Sequence, residues 1–469
     1  MKTRKIISMI LAVCLLLMPF PNMVSFAETG STDMTSKLEL LGIPMVKETY
    51  ARNIWDMQVH NNSVYLGYGN SSNVGPSTNA GLIDVVRYDP SSSSFTTEYT
   101  VNEEQIDVFR IINGELLIPG HDPRDDWSLG NYYTKTAGQW TKVRTIPNAI
   151  HNYDMASYNG KLYAATGTGA TNPVLSSSDN GKTWSDVIPT DSTKFASAGN
   201  RAYSMFQFQG NLYATSVFVN AERNTYNNLL RINGSGVSSL SINGALMFPN
   251  LGVVQSFKMI RTIDVNGTLL YIAGTISNDH QYVPLALFAS NQIGVGRKIL
   301  FGESQALPYD IIVRGSTAYV LASVRNAAMN YTNIVYSSTN MTTWSEVLRF
   351  NSDAFARSFE ELGGNFYFGL GCDTVEMPAS TGSILRLPVP APVLAPVVTP
   401  TPQPTLAPTP MPTPVPVVTL TPAPTPVPVI TPVPTPISVL APTPAPAPAP
   451  VVTSTISSSK GKATGRRTK

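Results

Sequence analysis

Tyr158-Asn-Gly-Lys-Leu-Tyr-Ala-Ala-Thr-Gly167 holds a large side chain, a two-residue turn signal and a strand-forming run that ends in small residues. Asn-Gly supplies the positive φ angles that a two-residue hairpin needs, and the flanking Leu and Tyr are strand formers. The pattern recurs six more times. It reads His60-Asn-Asn-Ser-Val-Tyr-Leu-Gly-Tyr-Gly69, Ile112-Asn-Gly-Glu-Leu-Leu-Ile-Pro-Gly120, Phe208-Gln-Gly-Asn-Leu-Tyr-Ala-Thr-Ser-Val217, Val265-Asn-Gly-Thr-Leu-Leu-Tyr-Ile-Ala-Gly274, Val313-Arg-Gly-Ser-Thr-Ala-Tyr-Val-Leu-Ala-Ser323 and Leu362-Gly-Gly-Asn-Phe-Tyr-Phe-Gly-Leu-Gly371. With Asn62, Gly114, Gly160, Gly210, Gly267, Gly315 and Gly364 as second turn residues, the spacings are 52, 46, 50, 57, 48 and 49 residues.

A period of about fifty residues suits a four-stranded blade. In the third repeat the inner strand is expected over Tyr153–Tyr158, the second over Lys161–Thr166, the third over Pro173–Ser178 and the outer over Thr183–Ile188, after a turn at Asp179-Asn180-Gly181. The seventh repeat runs out after three strands, and Leu38–Tyr50 has no partner of its own. That segment can supply the missing outer strand and close the ring, which removes exposed sheet edges. The expected fold is all-β: a seven-bladed β-propeller of four-stranded antiparallel blades over residues 28–387, closed by the N-terminal strand. No stretch shows a helical period.

The ends differ from the body. Lys2, Arg4 and Lys5, the apolar run Ile6–Met18 and Ser25-Phe26-Ala27 form a secretory signal peptide, with cleavage after Ala27. No membrane span then remains, and the location expected is extracellular or cell-wall associated. Residues 388–452 are a Pro/Thr-rich linker, where proline removes backbone donors and imposes extended polyproline II; this tail is expected to be disordered. Residues 453–469 are a basic tail suited to an anionic cell-wall polymer. Of 32 basic residues, three lie in the leader and five in the last ten positions, so the body holds 24 against 30 acidic ones. Such a body does not suit nucleic acid. Cys372 alone remains after leader removal, so the body has no internal disulfide, and no partner chain is expected.

Ser177-Ser-Asp179-Asn-Gly181-Lys-Thr183-Trp184 matches the pattern Ser/Thr-x-Asp-x-Gly-x-Thr-Trp at every fixed position. A worn copy, Ser337-Ser-Thr339-Asn-Met341-Thr-Thr343-Trp344, occupies the same place in repeat six. On these residues the chain resembles the Asp-box, or BNR-repeat, sialidase-like propellers of secreted bacterial proteins. The resemblance implies a structural role: Asp179 accepts backbone bonds, Gly181 takes a positive φ and Trp184 packs in the core. It does not imply sialidase activity, because the early Arg-Ile-Pro segment is absent.

Propeller geometry places the candidate site on the face formed by loops that lead into inner strands and by loops that join second and third strands. Asp56, Asp107, Asp154, Arg261, Asp310 and Arg357 begin inner strands there and could form a mixed-charge ring; Arg201 adds to an arginine cluster. Counted back from the second turn residue, Asp107 and Asp310 fall out of step with Asp56 and Asp154, so their side chains are expected to differ in direction. Trp127, Tyr226, Tyr282 and Tyr331, in the long loops, could stack on sugar faces. The plainer alternative is that these residues cap strands and clamp neighbouring blades. His121, Asp122, Asp279 and His280 have metal-ligand chemistry but lie in distant repeats, so no metal site or cofactor is expected beyond a structural cation such as calcium. No nucleophile motif is present. The function expected is a non-catalytic module that binds a glycan or a surface protein; the alternative is a glycan-acting hydrolase of the same propeller class.

Overall fold

Every repeat closes a hairpin at or within one residue of its turn signal. A computed structural model describes residues 33–72, 79–121, 123–168, 172–189, 201–219, 225–251, 256–276, 282–326 and 330–389. The leader, the basic tail and all but the first two residues of the linker lie outside the described residues. Seven separate antiparallel sheets follow one another along the chain. Blade one consists of Ile54–His60, Ser63–Tyr68, Ile83–Asp89 and Ser94–Val101, and blades two to six repeat this up-and-down order. Blade five gains a fifth strand, Phe218–Val219, on its inner edge. Among the described residues no helix is long and apolar enough to cross a membrane.

Blade seven takes Phe355–Leu362, Asn365–Gly371 and Ile384–Pro388 from the end of the body and Glu39–Gly42 from its start. Glu39 pairs with Arg386, Leu40 with Leu385 and Gly42 with Ile384. The N-terminal segment therefore closes the ring, as its unpartnered sequence implied.

The repeat's aromatic residue sits where blades pack face to face. Tyr65, Tyr163, Tyr213 and Tyr367 are buried, each three residues after the second turn residue. Blade six does not use Arg314-Gly315 as its turn. Arg314 pairs with Thr317, so Gly315 and Ser316 form the turn, with Gly315 at φ +58°. Glycine in the first turn position is the alternative two-residue solution. The second turn residue of blade six is thus Ser316, one later than expected. Tyr319 then stands three residues after it, in step with the other repeats.

In repeat three the observed strands are Ala149–Tyr158, Lys161–Thr168, Val174–Ser177 and Ser185–Asp186. Asp179 Oδ1 accepts the amides of Lys182 (3.0 Å) and Thr183 (2.9 Å), and Asp179 Oδ2 accepts the Thr183 hydroxyl (2.6 Å). Gly181 takes φ +82° and donates to Ser177 Oγ at 2.8 Å. These bonds hold the Asp179 carboxyl far below the usual range. Trp184 is half-buried and packs against the core between blades two and three; its indole donates across the blade boundary to Thr145 Oγ1 (3.0 Å). In repeat six the acceptor is Asn340, not Thr339, taking the amides of Thr342 and Thr343 at 2.9 Å each. Met341 takes the positive φ.

Candidate functional site: the central cavity

Inner strands do not run straight. In blades one, three, six and seven the pairing with the second strand slips by one residue, skipping Trp55, Tyr153, Tyr309 and Arg357. A β-bulge of this kind re-aims a side chain out of the ladder. Each of these residues lies seven positions before the second turn residue of its blade. The same position holds Asp107 in blade two, Tyr203 in blade four and Ile260 in blade five. All seven line one central cavity of about 450 Å³. The row contributes one side chain per blade, and loops at the same end of the ring complete the wall with Asn70, Ser71, Gln105, His121 and Arg201.

One residue further along lies a second row: Asp56, Val108, Asp154, Ser204, Arg261, Asp310 and Ser358. Apart from Val108, this row ties its blade to the next. Asp56 Oδ2 accepts the amide of Phe109 (2.7 Å), Asp154 Oδ2 that of Met205 (2.7 Å) and Asp310 Oδ2 that of Phe359 (3.1 Å). Ser204 donates to the Met259 carbonyl and Ser358 to the Ile54 carbonyl, at 3.2 and 3.0 Å. With Ser316 as the true turn residue, Asp56, Asp154 and Asp310 share one register and one task.

Charges in these rows are distributed unevenly. Arg110 forms a two-point pair with Asp154 (2.7 and 2.9 Å). Arg261, from blade five, reaches Asp56 of blade one at 2.8 Å and Asp310 of blade six at 2.9 Å. Its own backbone is held at φ +47°, a conformation that costs a non-glycine residue about 1–2 kcal/mol. Burial pushes the Asp310 carboxyl up to about 7 against the pull of Arg261, and Asp56 beside it adds to the rise. Burial likewise raises Asp56.

Arg357 is different. It is 7% exposed, and its guanidinium donates to Asn53 Oδ1 (3.0 Å) and the Cys372 carbonyl (3.2 Å), neither of which is charged. Its guanidinium carbon lies 4.1 Å from the centre of the Trp55 ring. Burial lowers its pKa below the arginine norm. Across the cavity, the Lys258 ammonium stands 3.5 Å over the Tyr203 ring. Burial pushes Lys258 down to about 7; Asp107 opposes the fall and Arg201 adds to it. Tyr203 packs on Tyr153 (4.6 Å), and Tyr153 stacks on His151 (5.2 Å). Among the described residues, four arginines (Arg110, Arg201, Arg261 and Arg357) and Lys258 line the cavity against two carboxylates, Asp107 and Asp154.

The six charged residues singled out in sequence thus converge on one place but do two jobs. Asp107 and Arg357 belong to the cavity row. Asp56, Asp154, Arg261 and Asp310 form the layer that clamps blades, and Asp154 and Arg261 also reach the lining. The loop aromatics fare differently. Trp127 is 67% exposed and outside the cavity. Tyr331 is buried against Phe355, edge to face at 5.4 Å. Tyr226 and Tyr282 begin or lie near the start of third strands, and their side chains fall outside the described residues, as do Asp122, Asp279 and His280. Trp55, Tyr153, Tyr203 and Tyr309 line the cavity from the row, where a count back from each turn would have found them, and Tyr50, just before the first inner strand, joins them. Among the described residues no group of three His, Cys, Asp or Glu side chains is arranged to hold a metal.

No protein-family model matches the sequence, and no curated protein matches it. Solved structures of similar fold include virginiamycin B lyase from Staphylococcus aureus, with 14% identity, a TM-score of 0.45 and coverage of 75% of this chain and 98% of that one. A GH74 enzyme from Niastella koreensis has 13% identity, a TM-score of 0.46 and coverage of 71% of this chain and 53% of that one. The β-propeller domain of the Trilobed protease from Pyrococcus furiosus has 7% identity, a TM-score of 0.43 and coverage of 72% and 98%. At such identities the likeness concerns the fold alone.

Proposed function

We propose that the protein is a secreted or cell-surface module that binds an acidic glycan in its central cavity. The observation that carries this reading is Arg357: a buried guanidinium whose hydrogen-bond acceptors are neutral. A buried charge needs a compensating partner, and a carboxylate that enters the cavity supplies one in two-point geometry. Trp55, Tyr153, Tyr203 and Tyr309 offer the flat rings on which the CH faces of a sugar stack. A volume of about 450 Å³ lies in the range of small-molecule sites, roughly 300–1,000 Å³. Hydrolysis of a glycosidic bond by paired carboxylates is disfavoured, because both lining carboxylates are already engaged: Asp154 with Arg110 and backbone amides, Asp107 with His121 and Gln105. Holding a ligand asks nothing more of them.

The test is a glycan array probed with the full-length chain. Uronate- or sialate-bearing glycans should be retained and their neutral counterparts should not. Arg357→Gln should weaken the best acidic ligand by roughly 10- to 150-fold in a titration, the worth of about 1.5–3 kcal/mol for a hydrogen bond to a charged group. Retention of neutral glycans alone, or equal binding by the variant, would sink the proposal.

A further inference from the structure

We propose that Ser71, His121 and Asp107 form an acyl-hydrolase site in the wall of the central cavity, acting on a carboxylic ester carried by the bound molecule. The three residues come from neighbouring segments at the same end of the ring. Ser71 follows the second strand of blade one, His121 follows the second strand of blade two, and Asp107 holds the cavity-row position of blade two. All three line the cavity.

Asp107 Oδ2 lies 2.7 Å from His121 Nδ1. The contact is an ion-pair approach that falls short of hydrogen-bond geometry; a proton carried on Nδ1 faces the carboxylate and leaves Nε2 to accept. Ser71 Oγ lies 3.5 Å from His121 Nε2, the looser distance expected before a substrate is bound. Nucleophile, base and a third group that orients the base are thus arranged in series, which is the signature of an activated hydroxyl. Gln105 links the two ends of the series. Its amide nitrogen donates to Asp107 Oδ1, and its carbonyl oxygen accepts the Ser71 backbone amide at 3.0 Å. The His121 ring rests edge-on against Tyr153 at 5.2 Å, and His151 Nδ1 donates to the His121 carbonyl at 2.9 Å. A serine that served only to finish its loop would not need a histidine, an acid and a bridging glutamine aligned behind it.

The chemistry balances with water as co-reactant. Ser71 Oγ adds to the ester carbonyl carbon while its proton passes to His121 Nε2. The tetrahedral adduct collapses, and the alcohol leaves with that proton. Water then adds to the acyl-serine, giving a proton to Nε2. Collapse releases the carboxylic acid and returns the hydroxyl to Ser71. The Ser71 amide is committed to Gln105 and cannot serve as an oxyanion donor. The cations that line the same cavity, Lys258 and Arg201 among them, would screen charge on the adduct. That the ester sits on an acidic sugar rests on the binding function proposed above; the serine, histidine and acid do not.

The experiment treats the full-length protein with a fluorophosphonate probe and with p-nitrophenyl acetate. Peptide mapping of the wild type should place the phosphonyl group on Ser71. Ser71→Ala should abolish labelling and ester turnover, with a thermal midpoint close to wild type. His121→Asn should slow labelling by about 100-fold or more. Asp107 is a positioning residue, so its readout is the pH–rate profile: in Asp107→Asn the midpoint of labelling should move to lower pH, because a neutral amide no longer stabilises the imidazolium. The other titratable groups facing His121 are His151 and Tyr153, with Lys258 acting through Asp107, and all stay in place in that variant. Absence of label on Ser71 in the folded wild type, or undiminished labelling of Ser71→Ala, overturns the proposal. Acidic-glycan binding without labelling defeats this inference alone; labelling without glycan binding defeats only the function proposed above.

Discussion

Arg357 owes its place to glycine as much as to its neighbours. A Cβ added at Gly371, on the adjacent strand, would stand 2.7 Å from both Arg357 Nε and Asn53 Oδ1. Only a bare backbone leaves room for the guanidinium between Asn53 and Trp55. Gly371→Ala should therefore displace Arg357, cost about 1–3 kcal/mol of stability and weaken acidic-ligand binding as Arg357→Gln does. Chemical denaturation and ligand titration of the same variant measure both effects. Sequence disclosed Arg357 because a charged residue at the head of an apolar strand stands out. It did not disclose Trp55, Tyr153, Tyr203 or Tyr309, because aromatics in strands are ordinary, whereas aromatics in long polar loops stand out. Their common feature, seven positions before the turn, emerges only when the turn itself is placed correctly.

At the scale of elements, register decides everything. In blades one, three, six and seven the inner strand carries two functional rows because a bulge inserts one residue, turning the side chain before the bond-making row toward the axis. Neither the bulge nor its position was legible, since a bulge leaves no composition signal. The turn of blade six falls one residue later than the sequence suggests for a related reason: Arg-Gly resembles Asn-Gly, whereas the hairpin keeps Tyr319, half-buried against the core of blades six and seven, in step with the other repeats. Closure was legible, because Leu38–Tyr50 had no partner and repeat seven lacked a strand. Removing residues 33–42 should leave Ile384–Pro388 as an open edge. The expected result is a lower unfolding midpoint in calorimetry and concentration-dependent association in size-exclusion chromatography. An unchanged midpoint would show that the strand decorates the ring without closing it.

Across the whole ring, stability is coupled to acid. Arg261 serves two carboxylates, and burial pushes Asp310 up to about 7. Burial also raises Glu360, beside Arg314, to about 7. Unfolded carboxyls titrate near pH 4. Between about pH 4 and about pH 7 the folded chain holds protons that the unfolded chain has released, so stability falls as pH rises through that window. The thermal midpoint should be higher at pH 5 than at pH 8, and Asp310→Asn should reduce the difference. Carboxylates held low, Glu98 beside Lys135 among them, act in the opposite sense and only at more acidic pH. The ring's closure also has a mechanical side. Glu39, where the first strand begins, pairs with Arg386, near where the last strand ends. The start of the first strand and the end of the last therefore lie side by side, at one end of one blade. Tension drawn between those two points peels the strands apart one bond at a time, whereas a load spread along them would have to shear every bond at once.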